Sequence, residues 1–130
     1  MIEIWDKLYE EAKKVLKPRR VSEMMETAGV AAAVESVAGN IYVGVCVDSR
    51  CTLGICAERN AIFNMLTNGE DAIKRVVAVN RDGKVLAPCG ACRELMTQLM
   101  PDDYRSVEIM MDYQNNRVVT LGDLTPEWRL

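Results

Sequence analysis

Four side chains in a chain without histidine could do chemistry together: Cys56, Glu58, Cys89 and Cys92. Cys89 and Cys92 stand three apart, after Pro88, at the head of an apolar-periodic run. At the first turn of a helix that spacing puts both sulfurs on one side. The partial positive charge of a helix start favours thiolate there. Such a pair is a redox couple or half of a zinc site. Cys56 opens a second predicted helix, "CAERNAIFNMLTNG". With it the set becomes three thiolates, which on zinc leaves one coordination position open to water, the mark of a catalytic site. Glu58 follows two residues later. At a first helical turn a Glu can curl back toward the helix start. Ligand and general acid/base can then meet at one point.

These residues need elements to hold them. Trp5, Leu8, Ala12, Val15 and Leu16 recur at helical spacing and predict a first helix over 3–17, stopped by Pro18. "GVAAAVES" and "NIYVGVCVD" predict two strands joined by a turn at 37–40. The Cys56 helix presents Ala57, Ala61, Ile62, Met65 and Leu66 as its apolar face and ends at Asn68-Gly69. A strand over 74–80, the turn "RDGK", the Cys89 helix ended by Pro101, and strands at "SVEIMMD" and "NRVVTL" follow. The order α-β-β-α-β-α-β-β is that of an α/β domain, one over 1–130, with a mixed five-stranded sheet covered by helices on both faces. In such sheets ligands collect where strands end and helices start. Both cysteine stretches sit there.

Composition excludes several classes. A net charge of −3 with pI near 5.0 disfavours a phosphate-tracking surface, so no nucleic-acid partner is expected. The basic cluster at 17–20 reads as a solvated helix end. The N-terminal stretch lacks the apolar core of a secretory signal, and no apolar run is long enough to span a bilayer. A cytoplasmic protein with no membrane partner is expected. There its five cysteines would be thiols rather than disulfides.

The pair "CAERNA" and "PCGACRE" resembles the zinc-dependent cytidine deaminases in their short form, a class built on a Cys or His ligand, a non-ligating Glu and a downstream Pro-Cys-x-x-Cys. The likeness covers most of the chain, including the hairpin and the C-terminal "LTPEW". It implies a three-layer α/β/α sandwich and one Zn²⁺ per chain, held by Cys56, Cys89 and Cys92. It implies Glu58 as the proton shuttle and the Ala57 N–H as donor to the substrate carbonyl. It also implies Arg59 as a donor to a ligand sulfur, with Arg93 a second candidate. The activity implied is hydrolytic deamination of free cytidine and deoxycytidine, in pyrimidine salvage, by a homotetramer, or else a homodimer.

The mouth of the site departs from that pattern. Where the family carries an Asn-x-Glu for the ribose hydroxyls, this chain has Cys46 and Asp48. Where an aromatic usually covers the pyrimidine, it has Ala28; Trp128 could reach in from a neighbouring subunit or pack on its own chain. The loop "DSRCTLGI" brings Arg50 and Cys51, unexpected in the family; Arg50 could contact an anionic or carboxylate-bearing substrate or simply lie in solvent. Three rival readings follow. The same chemistry could act on another cytosine nucleoside such as blasticidin S, whose deaminase resembles this family in the same way. Cys51 could complete a closed four-thiolate structural site, leaving Glu58 a mere capping acid. A base flipped from nucleic acid is a third possible substrate, opposed by the acidic charge.

Overall fold

The computed structural model describes residues 2–129. Its elements run α1 (Ile2–Val15), β1 (Arg19–Ser22), β2 (Met25–Ser36), β3 (Ile41–Asp48), α2 (Ala57–Thr67), β4 (Ile73–Asn80), α3 (Gly90–Leu99), a 3₁₀ turn (Tyr104–Ser106), β5 (Glu108–Asp112), β6 (Arg117–Thr120) and α4 (Leu121–Leu124). The long β2 is the hub. It pairs β3 along one edge and β1 and then β4 along the other, and the sheet continues through β5 to β6. All pairings are antiparallel except β4–β5, which α3 joins by a crossover. The sheet is therefore mixed, and it has six strands where the sequence indicates five. The extra strand is Arg19–Ser22, whose four side chains are all exposed. A short polar strand carries no alternation to betray it. Backbone pairing with β2 makes it, so the basic cluster is partly a strand rather than a helix end.

Two apolar layers hold the sandwich together. On one face Trp5, Leu8, Tyr9 and Ala12 of α1 pack on Ala31, Ala33, Val77 and Val79. On the other, Ala61, Ile62 and Met65 of α2 and Met96 of α3 pack on Ala32, Val34, Val76 and Ala78. Alternation along β2 and β4 sends odd residues to one layer and even residues to the other for part of their length. Gly44 lets β3 and α2 meet. A Cβ on it would lie 2.3 Å from the Ala61 backbone N, so only glycine permits this approach. Arg75 of β4 sits between two acids of neighbouring strands. Its Nη1 is 2.6 Å from Glu35 and its Nε 3.1 Å from Glu108. Glu35, Arg75 and Glu108 thus form a row across β2, β4 and β5.

A wide bulge interrupts β2. Thr27 pairs Val47 and Ala31 pairs Val45, so four steps on β2 oppose two on β3. Ala28 sits in it at φ 63°, a left-handed conformation that costs a non-glycine residue roughly 1–2 kcal/mol. The bulge turns Ala28 away from the cysteines, toward Lys14 and Val45. Gly29 and Val30 face the cysteine side in its place.

Candidate metal centre and active site

Cys56 and Cys89 are the residues immediately before α2 and α3, both in extended conformation, and neither thiol accepts a capping hydrogen bond. Their sulfurs turn toward one another. Cys92 lies in the first turn of α3 and is fully buried. The Cys56 and Cys89 sulfurs stand 3.2 Å apart, those of Cys89 and Cys92 3.5 Å, and all three fall within 4.8 Å of one another. A tetrahedral zinc with bonds of ~2.3 Å keeps its sulfurs roughly 3.8 Å apart, so the set can close on a metal with small shifts. Arg59 Nη2 donates to the Cys56 sulfur at 3.5 Å. Its Nε is buried and has no partner among the described residues, which leaves it a spare donor beside the sulfurs.

Electrostatics separate the groups. Burial pushes the Cys92 thiol up, helped by the Glu58 carboxylate. Burial also lifts Cys56, against the pull of Arg59. At Cys89 burial acts upward but is outweighed by the backbone N–H groups of Cys92 and Ala91 and by the neighbouring thiols, so its thiol lies below the ordinary value. That is the readiest thiolate, at a helix start as expected. Burial pushes the Glu58 carboxyl above the usual carboxylate range, opposed by Arg59. Glu58 is 5% exposed, and such a desolvated carboxyl suits proton transfer near neutral pH.

Cys56, Ala57, Glu58, Arg59 and Cys89 line one cavity of about 690 Å³, and Cys46 and Asp48 line it too. Of the other residues singled out in sequence, Ala28 and the exposed Arg50 do not line it, and three more stand apart from the sulfurs. Arg93 does not approach a sulfur; it donates to the Pro88 and Leu124 carbonyls at 2.8 and 2.9 Å, bracing the loop before α3. Trp128 lies on its own chain, its Nε1 donating to Glu94 at 2.8 Å. Cys51 is exposed on a tight turn and outside the thiol cluster, so the four-thiolate site is not formed. That turn, Arg50 to Leu53, has Cys51 and Thr52 both left-handed, at φ 59° and 58°. Cys46 is largely occupied within the protein, its sulfur accepting from the Val30 N–H at 3.3 Å. Not anticipated were Gly29, Asn80, Arg81 and Leu86, which also line the cavity. The signal available was position: "RDGK" directly follows a buried strand, where α/β sheets gather their ligands.

Comparison with known proteins bears on what this site is. The family described as "Cytidine and deoxycytidylate deaminase zinc-binding region" matches residues 3–107. The chain belongs to that family. It is similar to blasticidin-S deaminase of Bacillus cereus, 31% identical over 108 residues, covering 75% of this chain and 74% of that protein. It is similar to a cytidine deaminase of Mycobacterium tuberculosis, 27% identical over 95% of this chain and 87% of the relative. The crystal structure of a cytidine deaminase from that organism superposes with a TM-score of 0.75 at 26% identity, over 95% of this chain and 94% of the other. The family assignment makes the chain a hydrolase of the cytidine deaminase class, zinc-dependent, with a nucleoside-type substrate. The three-thiol set is consistent with one Zn²⁺ per chain. Among the described residues no helix is long and apolar enough to cross a membrane.

Proposed function

We propose that the protein hydrolytically deaminates a free cytosine nucleoside, cytidine or deoxycytidine, to the uracil nucleoside and ammonia. The observation that carries this reading is a buried carboxyl, Glu58, sharing one cavity with Cys56 and Cys89 of the three-thiol cluster. Zinc on those sulfurs supplies a Lewis acid that makes water nucleophilic at neutral pH. Glu58 takes a proton from the attacking water and delivers it to the ring nitrogen. The water oxygen bonds to the carbon bearing the amine. Glu58 then passes the remaining hydroxyl proton to that amine, the C–N bond breaks and ammonia leaves. The Ala57 N–H, at the start of α2 where no intrahelical acceptor exists, donates to the ring carbonyl. Arg59 offsets the negative charge of three thiolates. Asp48, exposed at the mouth, accepts from a sugar hydroxyl, and Cys46 packs against that wall.

A second substrate, blasticidin S, has its own support: a blasticidin-S deaminase is similar over three quarters of this chain. Ammonia release from cytidine, deoxycytidine and blasticidin S, by zinc-loaded wild type and Glu58→Ala, decides between them. Release from cytidine that vanishes in the variant with zinc retained is the expected result. Release from blasticidin S alone moves the substrate; release from none overturns both. A homotetramer in the cytoplasm belongs to the same proposal. Phe63 and Leu66, each about two-fifths exposed on the outer side of α2, give it an apolar surface to bury. Light scattering of the purified protein reads its mass.

A further inference from the structure

We infer that Arg81 is a specificity residue that selects nucleosides carrying an anionic group on the sugar side, an inference resting on the deaminase reading above. The cavity has two ends of different character. Glu58 is buried at its floor, with Cys56 and Cys89 beside it, whereas Asp48 and Arg81 are exposed at its rim. The amine-bearing ring must enter first to reach Glu58, which leaves the sugar and its substituents at the rim. There the β3 side offers an acceptor, Asp48, and the β4 side offers a guanidinium. Arg81 takes part in none of the ion pairs among the described residues. Its five donors in a planar fork suit a carboxylate or phosphate.

Three features place that guanidinium. Gly29 in the β2 bulge makes room for it: a Cβ there would lie 3.0 Å from Arg81 Nη2. The turn behind it is tied down, with Asn80 Oδ1 accepting from the Asp82 and Lys84 N–H groups at 2.9 and 3.0 Å. From the opposite face of the sheet, the Tyr9 hydroxyl donates to the Gly83 carbonyl at 2.5 Å. An Arg on a braced turn is preorganised, which is how a rim residue acquires selectivity.

The test measures binding and turnover separately. Binding of the product pair uridine and uridine 5′-carboxylate, and of uridine 5′-monophosphate, is measured on zinc-loaded wild type, Arg81→Ala, Arg81→Lys and Lys84→Ala. Wild type is expected to prefer an anionic member, and Arg81→Ala to lose roughly 10- to 100-fold on it while holding uridine unchanged. Arg81→Lys retains part of the preference, added salt weakens it, and Lys84→Ala, whose side chain lines the groove by Tyr9, leaves it intact. Preference for carboxylate or phosphate names which anion the rim takes. The same split is expected in KM for the corresponding cytosine compounds. No anion preference in wild type, or an equal loss on neutral and charged ligands in Arg81→Ala, overturns the inference. Preference without any deamination would instead refute the proposed activity and leave the anion subsite standing.

Discussion

The floor and the rim of the cavity are built differently. The floor comes from two helix starts, each led by an extended cysteine whose sulfur points into the thiol cluster, and each helix packed on the sheet. The rim comes from turns: Ser49 and Gly54, which flank the Arg50–Leu53 turn with its two left-handed residues, and the Asn80–Lys84 turn held by one asparagine and one tyrosine. Helix starts fix the thiols and the carboxyl on which the proposed reaction rests. Turns can change residue by residue without unseating them. On the proposed reading, reaction type and substrate choice fall to parts with different tolerance to change.

Breaking the floor should have the largest effects. Cys92→Ser is expected to lower bound zinc from one per chain to near none, read by elemental analysis, and to abolish activity, because the buried thiol has no substitute. Glu58→Gln should cost roughly 10²- to 10⁴-fold in kcat at full zinc occupancy. The same substitution has a second consequence in the chelated protein. The carboxyl is pushed up by burial, so the folded state holds its proton more tightly than the unfolded chain. That stabilising contribution is full below the unfolded value and is lost as pH rises through the folded one. Chelated wild type should therefore lose melting temperature over that window relative to Glu58→Gln.

Smaller effects sharpen the contrast between the two helices. Gly44→Ala sets a Cβ 2.3 Å from the Ala61 backbone N and should cost about 1–3 kcal/mol in chemical denaturation, with zinc affinity falling as α2 shifts. Gly90→Ala, at the start of α3, meets nothing within 4 Å and should be neutral or slightly stabilising. Just outside the rim, replacing Cys51-Thr52 by Asn-Gly relieves two left-handed residues and should add about 1–2 kcal/mol without changing zinc content. A fall in zinc there would tie the turn to the floor and erase the distinction.

What could be read from the chain follows the same division. Cys56, Glu58, Cys89 and Cys92 announce themselves because their types and spacing are demanded by chemistry, and the helices behind them because burial imposes a period. The polar strand Arg19–Ser22 leaves no such trace, since all its side chains face solvent. Nor does Ala28: a left-handed alanine in a bulge looks in sequence like any strand residue, so the position expected to face the pyrimidine faces the other way. Arg81 looks like one more charge in a turn. Only the neighbouring strand's Gly29 and the tyrosine across the sheet reveal where it points.

The row Glu35–Arg75–Glu108 has a consequence for how the sheet assembles. β2 and β4 are rich in alanine and valine and β5 carries isoleucine and methionine, interchangeable side chains that would tolerate sliding past one another. A slip of one residue would turn every side chain of β4 to the opposite layer. It would also take the half-buried Arg75 away from Glu35, itself 7% exposed, leaving two charges desolvated and unpaired. Such a mispairing is expensive. The ion row therefore works as a fiducial mark that admits a single alignment of the three strands. The cysteines of α3 and the arginine of the preceding turn inherit their places from it.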